Sequence, residues 1–139
     1  MRVVIVSDTH GRLGDLQEAV ERSKPVDWVL HLGDVEGQQD EIADIAAMAG
    51  AKVAMVSGNN DFFSSLRKEL ELVIGGVRIW MTHGHQYSVY QGIERIKNQG
   101  IMRSVDVVCM VIHMRLFLRL TKKTTLPYLI PEACRIRDS

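Results

Sequence analysis

The stretch Val3-Val4-Ile5-Val6-Ser7-Asp8-Thr9-His10-Gly11 sets a run of β-branched residues directly against a polar cluster. Such a run predicts a buried strand. Just past its end, Asp8 and His10 supply a carboxylate and an imidazole, which can converge on one divalent ion. Taken alone, Asp-Thr-His after a strand is more often a turn. The stretch therefore predicts a strand that delivers polar side chains, and metal binding depends on whether the pattern recurs.

The pattern recurs at three more places. Apolar runs end at Leu32-Gly33-Asp34, at Ser57-Gly58-Asn59-Asn60-Asp61 and at Thr82-His83-Gly84-His85. Oxygen ligands from Asp and Asn, mixed with imidazole nitrogens, suit Mn, Fe or Zn rather than a thiolate site. Because α/β proteins bind ligands at the carboxyl ends of their strands, we expect all four loops to meet at one sheet edge.

Each of these candidates also has a plainer interpretation. Asp34 could cap a helix, and Asn59-Asn60-Asp61 has the composition of an ordinary turn. His83 and His85 could be solvated loop residues. His31 lies inside an apolar strand, and we interpret it as a core residue outside the site. Four such loops in succession are hard to attribute to turns alone, so we predict a metal centre.

The rest of the chain alternates strands with helices, which predicts a single α/β domain over residues 1–139. No repeat, low-complexity segment or linker divides it. Apolar spacing predicts strands at 3–6, 27–32 and 52–56. The first helix contains Leu16, Ala19 and Val20, and the second contains Ile42, Ile45, Ala46 and Ala49. After them we predict a hairpin of 70–74 with 77–81 about Gly75-Gly76, a helix with Ile93 and Ile96 that ends near Gly100, and a strand that starts at 105–108.

Composition excludes several classes of protein. With 46% hydrophobic and 24% charged residues, the 139-residue chain can bury a sizeable core. Seventeen Lys and Arg balance seventeen Asp and Glu, so we expect no nucleic-acid or membrane partner. Cys109 and Cys134 lack metal-type spacing, and the apolar run at 3–6 is too short for a signal peptide or a membrane span. We expect a cytoplasmic protein.

The motifs at 8–11, 33–34, 58–61 and 82–85, in this order and spacing, resemble the calcineurin-like metallophosphoesterase superfamily, in particular its small bacterial and archaeal phosphodiesterases. The resemblance covers residues 1 to about 108. It implies a metallophosphoesterase-type α/β sandwich, in which two β-sheets are flanked by helices. It also implies a small phosphoester as substrate, and it is compatible with a homodimer.

The resemblance further implies a site for two divalent metal ions. Asp8 and His10 would hold the first ion, Asp34 would bridge both, and Asn59 and His83 would hold the second. A hydroxide shared by two such ions attacks a phosphoester in line. Mn is the favoured ion, with Fe, Zn, Ni, Co or Mg as alternatives.

Two further positions are candidate catalytic residues. Asn60 stands where many phosphomonoesterases of the superfamily carry His, and an amide cannot donate a proton as an imidazolium does. Since the small phosphodiesterases also lack His there, we expect phosphodiesters or activated phosphoesters as substrates. His85 would contact the phosphate or support the ligands, because Gly84 permits close backbone approach.

The final Gly-His-x-His of the family is absent, and the chain reads Cys109-Met110-Val111-Ile112-His113 instead. A one-base shift from codon 109 permits Tyr-Gly-His-Thr-His-Ala-Pro. The same shift over residues 129–138 permits Asn-Pro-Gly-Ser-Leu-Ser-Tyr-Pro-Arg-Gln, which resembles the next family motif. We hypothesise that residues 110–139 are an out-of-frame tail, that His113 is coincidental and that the fold is C-terminally incomplete. A genuine variant strand and helix is the alternative.

Three functional classes follow. The first is a metal-dependent phosphoesterase, most consistent with a phosphodiesterase. The second is a non-catalytic scaffold with the same fold, as in a retromer subunit of the superfamily. The third is an inactive fragment that lacks the last His ligands. The joint presence of Asp8, His10, Asp34 and Asn59 favours catalysis.

Overall fold

The computed structural model describes residues 1–87, 91–112 and 115–119. Strands and helices alternate through the first half, as their apolar spacing predicts. The elements are β1 (Val3–Val6), α1 (Leu13–Ser23), β2 (Trp28–His31), α2 (Gln39–Met48), β3 (Lys52–Met55), β4 (Glu69–Ile74), β5 (Val77–Thr82), a 3₁₀ turn (His85–Tyr87), α3 (Glu94–Met102), β6 (Val107–Ile112) and β7 (Arg115–Arg119).

The first sheet is parallel and has the order β1-β2-β3. All four residues of β1 are buried, which explains its unbroken β-branched sequence. Helices α1 and α2 provide the crossover connections that parallel neighbours require. The carboxyl ends of the three strands consequently lie along one edge.

The second sheet has the order β4-β5-β6-β7. Strands β4 and β5 form the predicted hairpin, in which Glu69 pairs with Thr82 and Ile74 with Val77. Gly75 and Gly76 both have positive φ, 57° and 77°, as a tight two-residue hairpin turn requires. Strand β6 runs parallel to β5, whereas β7 runs antiparallel to β6. The predicted α/β fold of two sheets with helices is confirmed.

Two predicted boundaries differ from the structure by two residues. The predicted end of helix α3 near Gly100 lies two residues before its last residue, Met102, and Gly100 is buried inside the helix. Strand β6 begins at Val107 and not at Val105. Val105 instead packs with Ile96 of α3 in a small core beneath that helix.

The main core joins the two sheets. It is built from buried side chains of β1 through β6 together with α1 and α2. The small second core, formed by Trp80, Ile96, Val105, Val108 and Met110, lies on the other face of the second sheet, under α3. Within the part of the chain that is described, no helix has the length and apolar character needed to cross a membrane.

Candidate metal centre

Four loops meet where the two sheets adjoin. Three follow β1, β2 and β3 of the first sheet, and the fourth follows β5 of the second. The expectation that all four would share one sheet edge was therefore wrong, because His83 comes from the other sheet. The His83 Nδ1–H donates to the carbonyl oxygen of Leu32 at 2.9 Å, and this bond joins the two edges.

Three of the predicted ligands converge. Asp8, Asp34 and His83 each offer a ligand atom, and these atoms all lie within 4.8 Å of one another. His83 Nε2 lies 3.9 Å from Asp34 Oδ2. Because a carbonyl only accepts hydrogen bonds, Nδ1 of His83 carries the ring proton, and the lone pair of Nε2 is directed toward the carboxylates.

The two carboxyl groups share a negative environment. Burial, followed by the hydrogen bond to Asp34, raises the pKa of Asp8 to about 6. Burial also acts to raise the pKa of Asp34, but hydrogen bonds from Asp8 and Asn60 outweigh it and lower that pKa. The pair therefore holds one proton in mildly acidic solution without a cation.

One oxygen of this pair shows that a cation fits. Asp8 Oδ2 is buried and has no hydrogen-bond donor among the described residues. An ionised carboxylate buried in this way is costly unless a proton or a metal ion satisfies it. With Asp34 and the Nε2 of His83 beside it, this set of oxygen and nitrogen ligand atoms matches a divalent ion of borderline hardness.

His10 and Glu36 flank this cluster. His10 Nδ1 bonds Glu36 Oε1 at 2.9 Å, while its Nε2 lies 4.0 Å from Asp8 Oδ1. The bond to Glu36 raises the pKa of His10. Proteins commonly orient a metal-binding imidazole by a hydrogen bond from one ring nitrogen to a carboxylate, which leaves the other ring nitrogen facing the metal site. Sequence reasoning missed Glu36, because nothing in Gly-Asp-Val-Glu distinguishes it from a surface residue.

The remaining candidates lie at the rim. Asn59 is exposed on the loop after β3. Its neighbour Asn60 donates to Asp34 twice, from its backbone N–H at 2.9 Å and from Nδ2 at 3.1 Å. His85 is exposed on the 3₁₀ turn, with its ring 5.5 Å from that of His83. Partial burial and nearby His83 lower the pKa of His85. His113 lies outside the described residues.

Backbone strain accompanies these ligands. Asp8, His10, Asp34 and Glu36 all have positive φ, between 45° and 58°. Non-glycine residues adopt this region at a cost, and such residues concentrate at functional sites. Gly33 permits the loops to touch, since a Cβ there would lie 2.6 Å from the backbone nitrogen of Gly58.

His31 lies in the core beneath the site, as predicted. The Gly33 N–H donates to His31 Nδ1 at 3.1 Å, so Nε2 carries the proton and donates to Thr9 Oγ1 at 3.2 Å. Burial lowers the pKa of His31 to about 4, which keeps the ring neutral. His31 thus connects the loop of Asp8 to that of Asp34 without being a ligand.

Comparison with known proteins agrees with this geometry. Residues 1–116 match the family model of the calcineurin-like phosphoesterase superfamily domain. The chain belongs to this superfamily. The match extends beyond residue 108, where the resemblance seen in the sequence ends.

Two curated relatives are similar over much of the chain. The Probable metallophosphoesterase YsnB of Bacillus subtilis (strain 168) is 33% identical over 110 residues, which cover 78% of this chain and 62% of the relative. The Probable metallophosphoesterase MJ0623 of Methanocaldococcus jannaschii is 35% identical over 115 residues, covering 78% of this chain and 56% of the relative. The chain therefore spans less than two thirds of either relative.

Solved structures share the fold. A predicted phosphoesterase from Streptococcus pneumoniae TIGR4 has a TM-score of 0.66 at 23% identity, over 81% of this chain and 62% of that one. Vps29 of Entamoeba histolytica, complexed with zinc, has a TM-score of 0.63 at 23% identity, over 78% and 62% of the two chains. This superfamily is one of metal-dependent phosphoesterases, so a divalent-metal site is expected at the cluster of Asp8, Asp34 and His83.

Proposed function

We propose that this protein hydrolyses phosphodiesters or activated phosphoesters, with two divalent ions held by Asp8, His10, Asp34, Asn59 and His83. The observation that carries the proposal is the convergence of Asp8, Asp34 and His83 within 4.8 Å. The buried, unsatisfied Oδ2 of Asp8 adds a demand for positive charge at the same point. Mn is the preferred ion in this proposal, since oxygen and imidazole ligands suit it.

When bound, a pair of divalent ions activates water at neutral pH and clamps the phosphoryl oxygens. The protein's own residues prepare for this. His83 keeps its Nε2 free because its Nδ1–H is bonded to Leu32. Asp34 is held by both donors of Asn60. Glu36 bonds the Nδ1 of His10, which turns Nε2 toward Asp8.

The contact of Asn60 supports the preference for diesters. Its Nδ2 is bonded to Asp34 Oδ2 at 3.1 Å, so the side chain supports a ligand, and an amide cannot act as the general acid for a leaving group. Substrates whose leaving group needs no protonation are then favoured. His85 is the remaining candidate for contact with the phosphate, beside His83 on the exposed side.

The C-terminal hypothesis belongs to the same proposal. We propose that residues 110–139 are read out of frame and that the in-frame segment would add two imidazole ligands. Residues 120–139 lie outside the described part of the chain. A cytoplasmic location, expected from the sequence, and a homodimer, compatible with the family, are further proposals.

The test is hydrolysis of bis-p-nitrophenyl phosphate with added Mn²⁺, compared with hydrolysis of p-nitrophenyl phosphate. We expect faster turnover of the diester. A frame-restored chain carrying Tyr-Gly-His-Thr-His from position 110 onward should be more active than the present one. Metal binding without hydrolysis in either chain would favour the scaffold, and faster monoester hydrolysis would contradict the diester preference.

A further inference from the structure

Asp61 lies beside the metal centre and accepts three backbone hydrogen bonds. Its Oδ2 accepts from the N–H groups of Asp34 and Gly58, both at 2.7 Å. Its Oδ1 accepts from the N–H of Glu36 at 2.8 Å. One carboxylate thus binds the loop after β2 to the loop after β3, and both loops carry proposed ligands.

The bonds fall where the backbone is strained. Asp34 and Glu36 have φ of 58° and 51°, in the left-handed region that non-glycine residues enter at a cost. Hydrogen bonds to a charged acceptor are among the stronger ones in proteins. The carboxylate of Asp61 therefore compensates for strain in the two residues that present one carboxylate to the metal centre and another to His10.

These hydrogen bonds also indicate that Asp61 is not itself a metal ligand. A carboxylate has about four acceptor positions, and the three amides occupy most of them. The carboxylates of Asp34 and Asp8, by contrast, lie within 4.8 Å of the imidazole of His83. Asp61 is engaged with backbone amides, while Asp34 faces the cluster.

We propose that Asp61 is a positioning residue, which sets the metal affinity of the site by holding the amides of Asp34, Glu36 and Gly58 and without contacting metal. The bonds fix the direction of Asp34 and, through Glu36, the orientation of His10. The proposal rests on the proposed metal-binding function. It assigns a role to the last residue of the Gly-Asn-Asn-Asp motif.

The test is calorimetric titration of the full chain with Mn²⁺ alone, comparing wild type with Asp61→Asn. The amide has one acceptor oxygen, and its NH₂ group would face backbone donors, so the two loops should separate. We expect affinity for Mn²⁺ to fall by about 10- to 100-fold, as for other residues that orient metal ligands. Asp27→Asn is the matched control, because Asp27 also accepts a backbone N–H, that of Arg2 at 2.6 Å, remote from the site. It should leave affinity unchanged.

Asp34→Asn in the same titration separates the two proposals. Mn²⁺ binding that survives Asp34→Asn contradicts the metal centre itself. Binding lost with Asp34→Asn but retained at wild-type strength with Asp61→Asn contradicts the positioning role alone. An equally complete loss in both variants would make Asp61 a ligand and would also overturn the proposal.

Amide hydrogen exchange on the unmodified chain keeps the test independent of whether Asp61→Asn folds. The amides of Asp34, Glu36 and Gly58 should be protected without metal and should gain protection together when Mn²⁺ binds. Exchange of these three amides at the rate of an unstructured peptide, with Mn²⁺ present, would overturn the proposal.

Discussion

Charged side chains are arranged in opposite ways at the metal centre and on the outer face of the second sheet. Around the metal centre, four acidic residues gather on two loops and the end of β1: Asp8, Asp34, Glu36 and Asp61. On the outer face, Arg103 pairs with Glu69 at 2.9 Å and with Glu71 at 3.0 Å. Negative charge accumulates in the first region, whereas in the second region Arg103 balances the charges of the two glutamates.

The second region, which we term the Arg103 cluster, comprises Arg103, Glu69, Glu71, Tyr87 and Trp80. The guanidinium carbon of Arg103 lies 4.3 Å from the centroid of the Trp80 ring. Tyr87 donates to Glu69 at 2.7 Å and packs edge-on against Trp80. Such contacts join strand β4 to α3 and the 3₁₀ turn, so this cluster serves packing.

The residues of the Arg103 cluster stabilise the fold, whereas the residues of the metal centre are held in place by the surrounding fold. Strained backbone and unsatisfied acceptors persist only where surrounding structure compensates for them. Near the metal centre, the compensation comes from neutral His31, from Asn60 and from the amide bonds of Asp61. Variants in the two regions should therefore affect different measurements.

The largest expected effect is on metal binding. His83→Ala should weaken Mn²⁺ binding by more than about 100-fold, beyond the range for residues that only support ligands. His85→Ala is the matched control, because His85 is exposed and its ring lies beside that of His83. It should leave Mn²⁺ affinity unchanged. Equal affinities for Mn²⁺ in the two variants would contradict the ligand role of His83.

The second effect is a pH dependence of the metal-free protein. The pKa of Asp8 is raised from 3.8 to about 6, so the folded state retains a proton that the unfolded state loses. The contribution of Asp8 to stability therefore falls as pH rises between those values, by at most about 3 kcal/mol. As pH rises through this range, the free energy of unfolding of Asp8→Asn should increase relative to that of wild type, as measured by denaturant unfolding in EDTA.

The variant comparison is needed because His31 acts in the opposite direction. Burial lowers its pKa to about 4, so the unfolded state binds more protons and stability rises with pH over much of the same range. Subtracting wild type from Asp8→Asn removes this contribution. A difference between the two proteins that does not vary from pH 4 to pH 6 would show that Asp8 is not shifted.

The smallest effect belongs to the Arg103 cluster. Arg103→Ala should lower the free energy of unfolding by about 1 kcal/mol, through lost packing on Trp80 and partly screened ion pairs. Mn²⁺ affinity should be unchanged. Arg95→Ala is the weaker counterpart, since its guanidinium carbon lies 6.0 Å from the Tyr87 ring, and it should cost less. A loss of Mn²⁺ affinity in Arg103→Ala would show that the two regions are coupled.

Local patterns were sufficient to predict much of the fold. The β-branched run of β1 and the Gly75-Gly76 hairpin were legible because burial and turn geometry depend on adjacent residues. The end of α3 was predicted near Gly100, two residues before Met102, and Gly100 is tolerated inside the helix because tertiary packing buries it. Recurring ligand types at strand ends likewise indicated Asp8, Asp34 and His83.

The sequence by itself determined which residue types stand at the end of each strand, since that depends on the order of side chains along the chain. Only the tertiary structure decided that His83 arrives from a second sheet and that Asp61 is bonded to the amides of two loops. Hydrogen bonds between residues 27 positions apart, such as that of Asp61 with Asp34, leave no periodic trace in a sequence. They form because parallel strands bring distant loops to one place.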